Sequence, residues 1–386
     1  MNLSAYIIEA INESSLKLSD EDRERLLQLD KEFLQWYSHY KDNIHRKDVV
    51  NMDSEFDKFI KAYKRGEKYF PKLKFQRTKV TYNDVTMGYE LIKKFKDFKN
   101  CYFSKFYIQM IGSGLASMEH ALFHKDGVKS TLWNSSLYVL DKDTIEAAKQ
   151  CAKDNPYEKV ENDRTRDADY AEEYISKAIK ELGYDWKVIQ ASDMLPRMNV
   201  AINGTLRINK DAKFSDADLE GLVAHEVKGH VGRRYYGKQT GLGLMLVGLP
   251  GRNVYDEGLA VWNSLNIVEH DKPNVLHNIA IKYLIAAYCD TYDFCDLFKF
   301  IRKFTKMPDV KIFSAIVRCK RDLVDMSIRG GSYDDAHYFY GYRLVDKMTD
   351  KDRDDILKYN VGPQEWKELD KIKTFLKVNK FNKNGE

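Results

Sequence analysis

Cysteine is scarce in this sequence: five residues (Cys101, Cys151, Cys289, Cys295 and Cys319) among 386. An odd number cannot all pair within one chain. None stands in a Cys-x-x-Cys, and no Cys/His cluster has zinc-finger spacing. A disulfide scaffold is therefore excluded, and reduced thiols are the expectation. An excess of one charge is also missing. Lys and Arg number 63 against 59 Asp and Glu, a net charge of +4, too even to call for a nucleic-acid or membrane partner. Long apolar runs are absent as well. The longest Gly-rich apolar stretch, Leu242 to Pro250, falls far short of the ~20 residues a membrane-crossing helix needs. The opening residues carry acidic Glu9 and no basic start, unlike a secretory signal. A cytoplasmic protein is expected. There is no internal repeat and no low-complexity linker.

What is present suits a globular chain. Apolar residues make up 43% and charged residues 32%, which argues against wholesale disorder. The length suffices for one large domain or two ordinary ones without staples. A polar stretch from Cys151 to Asp169, containing Asn155-Pro156, divides an N-terminal helical region (1–165) from a core (166–386). In the first part, Ser19-Asp20-Glu21-Asp22 is a helix start, followed by Leu26, Leu27, Phe33, Leu34 and Tyr37 at helical spacing. Lysines and aromatics mix between Met87 and Tyr107 and read as a solvated basic face with the rings turned inward. In the second part, a helix from Tyr170 to Leu182 closes at Gly183, and a strand follows at Trp186 to Ile189. Two further runs, Arg197 to Ile202 and Thr205 to Asn209, flank Asn203-Gly204, a strong hairpin signal. Later core helices are expected within Ala260–Asn266, Ile279–Lys306 and Trp366–Leu376, with a frayed tail from Lys380. The expected fold class is α+β: a mainly helical core with a small antiparallel sheet, preceded by the N-terminal helical region.

Histidines number nine, and two pairs stand close together. His120 and His124 have regular helical spacing but no glutamate after the first, and read as a solvated or core pair. The other pair lies in His225-Glu226-x-x-x-His230. Ser215 can cap the helix that carries it, with Asp218 three residues on and Phe214 and Leu219 at the staple positions. In the shorter His-Glu-x-x-His, residues four apart share a helix face and reach one zinc. Five apart, they diverge by roughly 140° on a regular helix. Either the histidines are unrelated, or an inserted residue forms a π-bulge that brings them together, as bulges do at functional sites. Gly229 and Gly232 are permissive of such a bulge. A zinc hydrolase needs a third ligand and an open position for water. The downstream candidate is the acidic pair of Tyr255-Asp256-Glu257-Gly258-Leu259-Ala260, which opens an apolar run after a Gly/Pro-rich turn.

These segments resemble the microtubule-associated tyrosine carboxypeptidase family. The resemblance rests on His225 to His230, the loop Gly241 to Gly251, Glu257-Gly258-Leu259-Ala260 and Arg233. It continues in Arg329-Gly330-Gly331 and Asp335-x-x-Tyr338-x-x-Gly341, covers roughly Tyr170 to Arg343, and has a weaker echo at Phe70-Pro71-x-Leu73-x-Phe75. It implies a zinc metallopeptidase in which His225, His230 and Glu257 hold one Zn²⁺. Glu226 would serve as the proton-transferring base, and Tyr338, with His337 as alternative, would donate to the oxyanion. One departure bears on substrate detail: the family usually has Asn where this chain has Tyr236.

Carboxypeptidase action requires a receptor for the terminal carboxylate, and arginine's planar fork suits it. Arg233, Arg329, Arg197 and Arg252 are the candidates. The expected activity is removal of a C-terminal residue, aromatic or acidic, from a peptide or protein tail, with no nucleic-acid or membrane partner and the oligomeric state left open. A zinc endopeptidase or amidase is one competing class. A non-catalytic regulatory or binding protein on the same fold is another.

Overall fold

Capping side chains set the helix starts. In this computed structural model the described residues are 16–44, 49–74, 79–123, 140–159, 164–192, 194, 196–267, 272–321, 323 and 325–382. The sequence start, His124, the His120 side chain, Phe75 and the end of the tail lie outside them. Helix α1 (Asp20–Asn43) begins where the Ser19 hydroxyl accepts from the Asp22 N–H. It is followed by α2 (Met52–Lys64), α3 (Tyr82–Lys96), α4 (Ser104–Phe123) and α5 (Lys142–Asp154). Along α3 and its exit, Lys93, Lys96 and Lys99 are exposed while Phe95 and Phe98 are buried, so the basic stretch is a solvated face. Helix α6 (Ala168–Glu181) leads to the sheet, with Gly183 in the left-handed region at φ 70° just beyond it.

Strands β1 (Lys187–Ala191), β2 (Met198–Val200) and β3 (Thr205–Asn209) form one sheet in the order β1-β3-β2. The hairpin β2–β3 is antiparallel, with Asn199 opposite Arg207. The sheet as a whole is mixed rather than purely antiparallel, because β1 pairs parallel with β3, Ile189 opposite Arg207. That pairing follows from α6, which packs on both β1 and β3.

The remaining helices are α7 (Asp216–Leu222), a π-helical turn (Val223–Val231), α8 (Gly232–Gln239), α9 (Gly243–Val247), α10 (Asn253–Leu265) and α11 (Lys272–Tyr288). After them come α12 (Phe294–Ile301), α13 (Asp309–Lys320), α14 (Ala336–Val345), α15 (Asp350–Tyr359), a 3-10 turn (Glu365–Glu368) and α16 (Leu369–Asn379). The Ile279–Lys306 span is thus two helices, because the Asp293 carboxylate accepts from the Asp296 N–H and starts α12 afresh.

Three apolar cores hold these elements together. The first joins α1, α3 and α4 to Leu242–Leu249, α16 and one side of α10. The second packs Phe59, Ala148 and Ala152 against α11 to α14 and the other side of α10. The third places α6 and the sheet on Leu219, Val227 and Val231. Helices from before residue 165 therefore share cores with those after it. The π-helical turn belongs to the third core, and α10 to the other two. They pack directly on each other, so the site forms where the cores meet. Among the described residues no helix is long and apolar enough to cross a membrane.

Candidate metal centre and its surroundings

The helix that carries His225 is fixed at its start. The Ser215 hydroxyl accepts from the Asp218 N–H while the Asp218 carboxylate accepts from the Ser215 N–H, a complete capping box. Arg197 lies 3.0 Å from the same carboxylate and above the Phe214 ring, which ties the hairpin to this cap. Past α7 the backbone widens into the π-helical turn. A π turn holds more residues than an α turn, so side chains five apart return to one face. The rings of His225 and His230 accordingly lie with centroids 5.1 Å apart and planes at 81°.

Gly229 has a further reason to lack a side chain. A Cβ there would lie 3.1 Å from the Ala260 Cβ and 3.2 Å from its Cα, so the π turn and α10 meet backbone to backbone. Farther along, a Cβ on Gly258 would lie 2.4 Å from the Gly341 carbonyl carbon. The helices α10 and α14 thus cross at a pair of glycines. These two crossings bring Glu257 under the histidines and Tyr338 toward Glu257.

The ligand-type atoms of His225, His230 and Glu257 all fall within 4.8 Å of one another. Glu257 Oε2 is 3.8 Å from His225 Nε2 and 3.7 Å from His230 Nε2. It is buried and has no hydrogen-bond partner. Bonds of ~2.1 Å at tetrahedral angles would separate ligands by roughly 3.4 Å, so the residues present fit a zinc ion with little movement. The second nitrogen of His230 is also placed. His230 Nδ1 stands 2.9 Å from Asp256 Oδ1; a carboxylate only accepts, so Nδ1 carries the proton and Nε2 faces the centre.

Electrostatics mark the same spot. Burial, then His230, pushes His225 down to about 3. His230 is buried too, but Asp256 and Glu257 outweigh burial and hold it up to about 10. Burial pushes Glu226 up to about 7, with His230 opposing and Glu257 adding to the rise. Burial also raises Glu257, whereas Asp256, buried beside His230 and Arg233, is held well below the usual carboxylate range. Tyr338 is raised well above an ordinary phenol, first by the Glu257 charge and then by burial. The Lys282 ammonium lies 4.5 Å from the Tyr338 ring centroid.

The sequence-derived arginines disperse. Arg233 is 1% exposed. Its Nε and Nη2 donate to Asn360 Oδ1 at 3.2 and 3.0 Å, Nη2 also donates to the Val361 carbonyl, and Nε lies 3.5 Å from Asp256. Arg197 serves the cap, and Arg329 is exposed. Arg252 Nη2 donates to the Tyr37 hydroxyl at 3.4 Å. Tyr236 joins Tyr184 and Tyr235 in an aromatic cluster. His337 is buried at 3% exposure. Two residues escaped the sequence reading. Asp256 was visible only as half of an acidic pair. Arg234 follows Glu226 and His230 at four-residue steps, a signal masked by Arg233 beside it.

Two imidazoles and a carboxylate converge beside the half-buried Glu226 on packed helices, a set that could hold a metal ion. The family model described as microtubule-associated tyrosine carboxypeptidase matches residues 115–373, well over half of the chain, and the chain belongs to that family. The match begins within α4 and runs through the polar stretch at 151–169. No curated protein matches the chain.

Proposed function

We propose that this protein is a zinc-dependent carboxypeptidase that hydrolyses the last peptide bond of a peptide or protein tail. The observation that carries the reading is the convergence of His225, His230 and Glu257, with Glu257 Oε2 buried and unpartnered at their centre. Family membership adds the carboxypeptidase class, and its name points to tyrosine as the residue removed and to a microtubule protein as the source of the tail. The two histidines and Glu257 hold the ion, and Asp256 fixes the His230 ring. Zinc so held supplies Lewis acidity toward a carbonyl oxygen and lowers the pKa of water.

The chain's own groups do the rest. Glu226, adjacent to a ligand but outside the triad, takes the proton of the attacking water and delivers it to the departing amine. Tyr338 donates its hydroxyl proton in a hydrogen bond to the carbonyl oxygen as charge builds there. Strand β2 lies at the sheet edge against the π-helical turn and offers backbone groups to an extended tail. A cytoplasmic site of action agrees with the reduced cysteines and the lack of a membrane-crossing helix among the described residues.

The test is mass spectrometry of peptides varied at the last residue, with zinc and with chelator. Loss of one C-terminal residue, blocked by chelator, by C-terminal amidation and by Glu226→Gln, is the expected result. Internal cleavage, or full activity in Glu226→Gln, would overturn the reading.

A further inference from the structure

Carboxypeptidase action leaves one requirement unmet by the groups described so far: something must grip the free terminal carboxylate. Resting on the carboxypeptidase reading, we propose that Arg234, with Arg252 and with Lys41 of α1, forms the receptor for the α-carboxylate of the substrate's last residue.

Arg234 is the guanidinium with capacity to spare. Its Nη1 is buried without a hydrogen-bond partner, as are Nη1 of Arg233 and Nη1 of Arg197, but among the described residues Arg234, unlike those two, forms no ion pair. The other arginines near the site are engaged. Arg233 is held by Asn360 and Val361. Arg318 donates to both oxygens of Asp335, at 3.0 and 2.7 Å. Arg197 pairs with Asp218.

Position agrees with this role. The carboxylate of a C-terminal residue lies one residue beyond the scissile bond, about 3.8 Å along the chain, so its receptor must stand close to the proton-transferring glutamate. Arg234 stands four residues after His230, at the start of the helix that continues the π-helical turn, and its guanidinium feels Asp256, Arg252, Tyr37 and Glu226. The Lys41 ammonium lies over the rings of Tyr37 and Tyr40, at 5.4 and 5.1 Å from their centroids, while the residue as a whole is exposed. Lys41 is thus the member of the cluster that faces solvent. The Tyr37 hydroxyl reports its sign: burial should raise it, yet Lys41, Arg252 and Arg234 bring it down to about 8. Surroundings that favour a phenolate favour a carboxylate for the same reason. Tyr37 and Lys41 precede the matched span of 115–373, so α1 would complete a site whose chemical groups come from within it.

The experiment measures binding rather than turnover. Zinc-loaded Glu226→Gln protein is titrated, by fluorescence anisotropy, with a labelled peptide ending in tyrosine and with its C-terminal amide. The free acid should bind roughly ten- to a hundredfold more tightly than the amide, the range of charge-assisted hydrogen bonds. Adding Arg234→Gln should erase that difference, Arg234→Lys should restore part of it, and Lys41→Gln should weaken the acid alone. A preference for the acid that survives Arg234→Gln overturns the proposal and leaves the carboxypeptidase reading standing. Equal binding of acid and amide by the Glu226→Gln protein overturns both. If circular dichroism shows Arg234→Gln unfolded, the Lys41→Gln titration decides, and an unchanged acid preference there overturns the proposal.

Discussion

Asp256 is the residue on which the geometry of the centre turns. It accepts from His230 Nδ1 at 2.9 Å and lies 3.5 Å from Arg233 Nε, so it fixes the ring and is itself held. Orienting carboxylates of this kind are worth about 10- to 100-fold in metal affinity. Asp256→Asn should therefore weaken zinc binding by about that factor in a competition titration against a chromophoric chelator, with the fold intact by circular dichroism. Tyr338 acts at another stage. If it donates to the oxyanion, Tyr338→Phe should lower kcat by ~10²-fold with KM little changed, as read from steady-state cleavage of a tyrosine-ending peptide. An equal loss carried in KM alone would assign the hydroxyl to substrate binding instead. The candidate metal-site residues were legible because two histidines and a glutamate at set spacing leave a written pattern, and the structure brings their side chains together. The role of Arg233 was not. Its partner Asn360 comes from across the fold and adopts a left-handed backbone at φ 48°, and no local pattern foretells that contact.

Among the elements, the crossing of α10 and α14 does most to build the site. A Cβ on Gly341 would lie within 1.9 Å of the Val254 carbonyl oxygen, and neither helix backbone can give way without moving Glu257 or Tyr338. Gly341→Ala should destabilise the protein by about 3 kcal/mol, the upper range of overpacking costs, measured by urea unfolding, and should lower zinc affinity as well. A second element carries a pH signature. Glu365, on the 3-10 turn, is 4% exposed and accepts from the Gly362 N–H at 3.2 Å; burial pushes it up from 4.5 to about 7. The folded state then holds its proton more tightly than the unfolded chain. The resulting loss of stability is absent below pH 4.5, grows as pH rises toward 7, and is complete above it, on the order of 3 kcal/mol. Glu365→Gln keeps an acceptor for Gly362 without the charge. It should raise Tm by a few degrees at pH 8 and leave it unchanged at pH 4.5, checked by calorimetry. Elements with local signatures were readable in advance, such as the Ser215–Asp218 box and the Asn203-Gly204 turn, where Gly204 has φ 85°. The parallel β1–β3 pair was not, because its partner is chosen by α6 packing over both strands rather than by a turn.

At the scale of the whole molecule, α10 carries Tyr255 and Leu259 in one core and Val261 and Leu265 in another, while the π-helical turn opposite carries Val227 and Val231 in the third. A zinc ion shared by His225, His230 and Glu257 would bolt these bodies together at their meeting point. Without it, Glu226, Asp256 and Glu257 form a half-buried acidic cluster whose positive partners are His230 and the neighbouring arginines. Buried like charges cost stability, and an ion that binds only the folded state adds RT ln(1 + [L]/Kd), about 4 kcal/mol at a thousandfold excess over Kd. Chelation should therefore lower Tm by several degrees in a calorimetric scan, and zinc added back should restore it where magnesium, which prefers oxygen ligands, should not. Glu257→Gln removes one proposed ligand together with its charge, so its Tm should respond far less to chelator than that of the parent protein. If the parent binds zinc stoichiometrically yet unfolds at the same temperature with and without it, the ion serves chemistry alone. In that case the three cores are joined by the glycine crossings at Gly229, Gly258 and Gly341, and the geometry of the centre is set by backbone packing before any metal arrives.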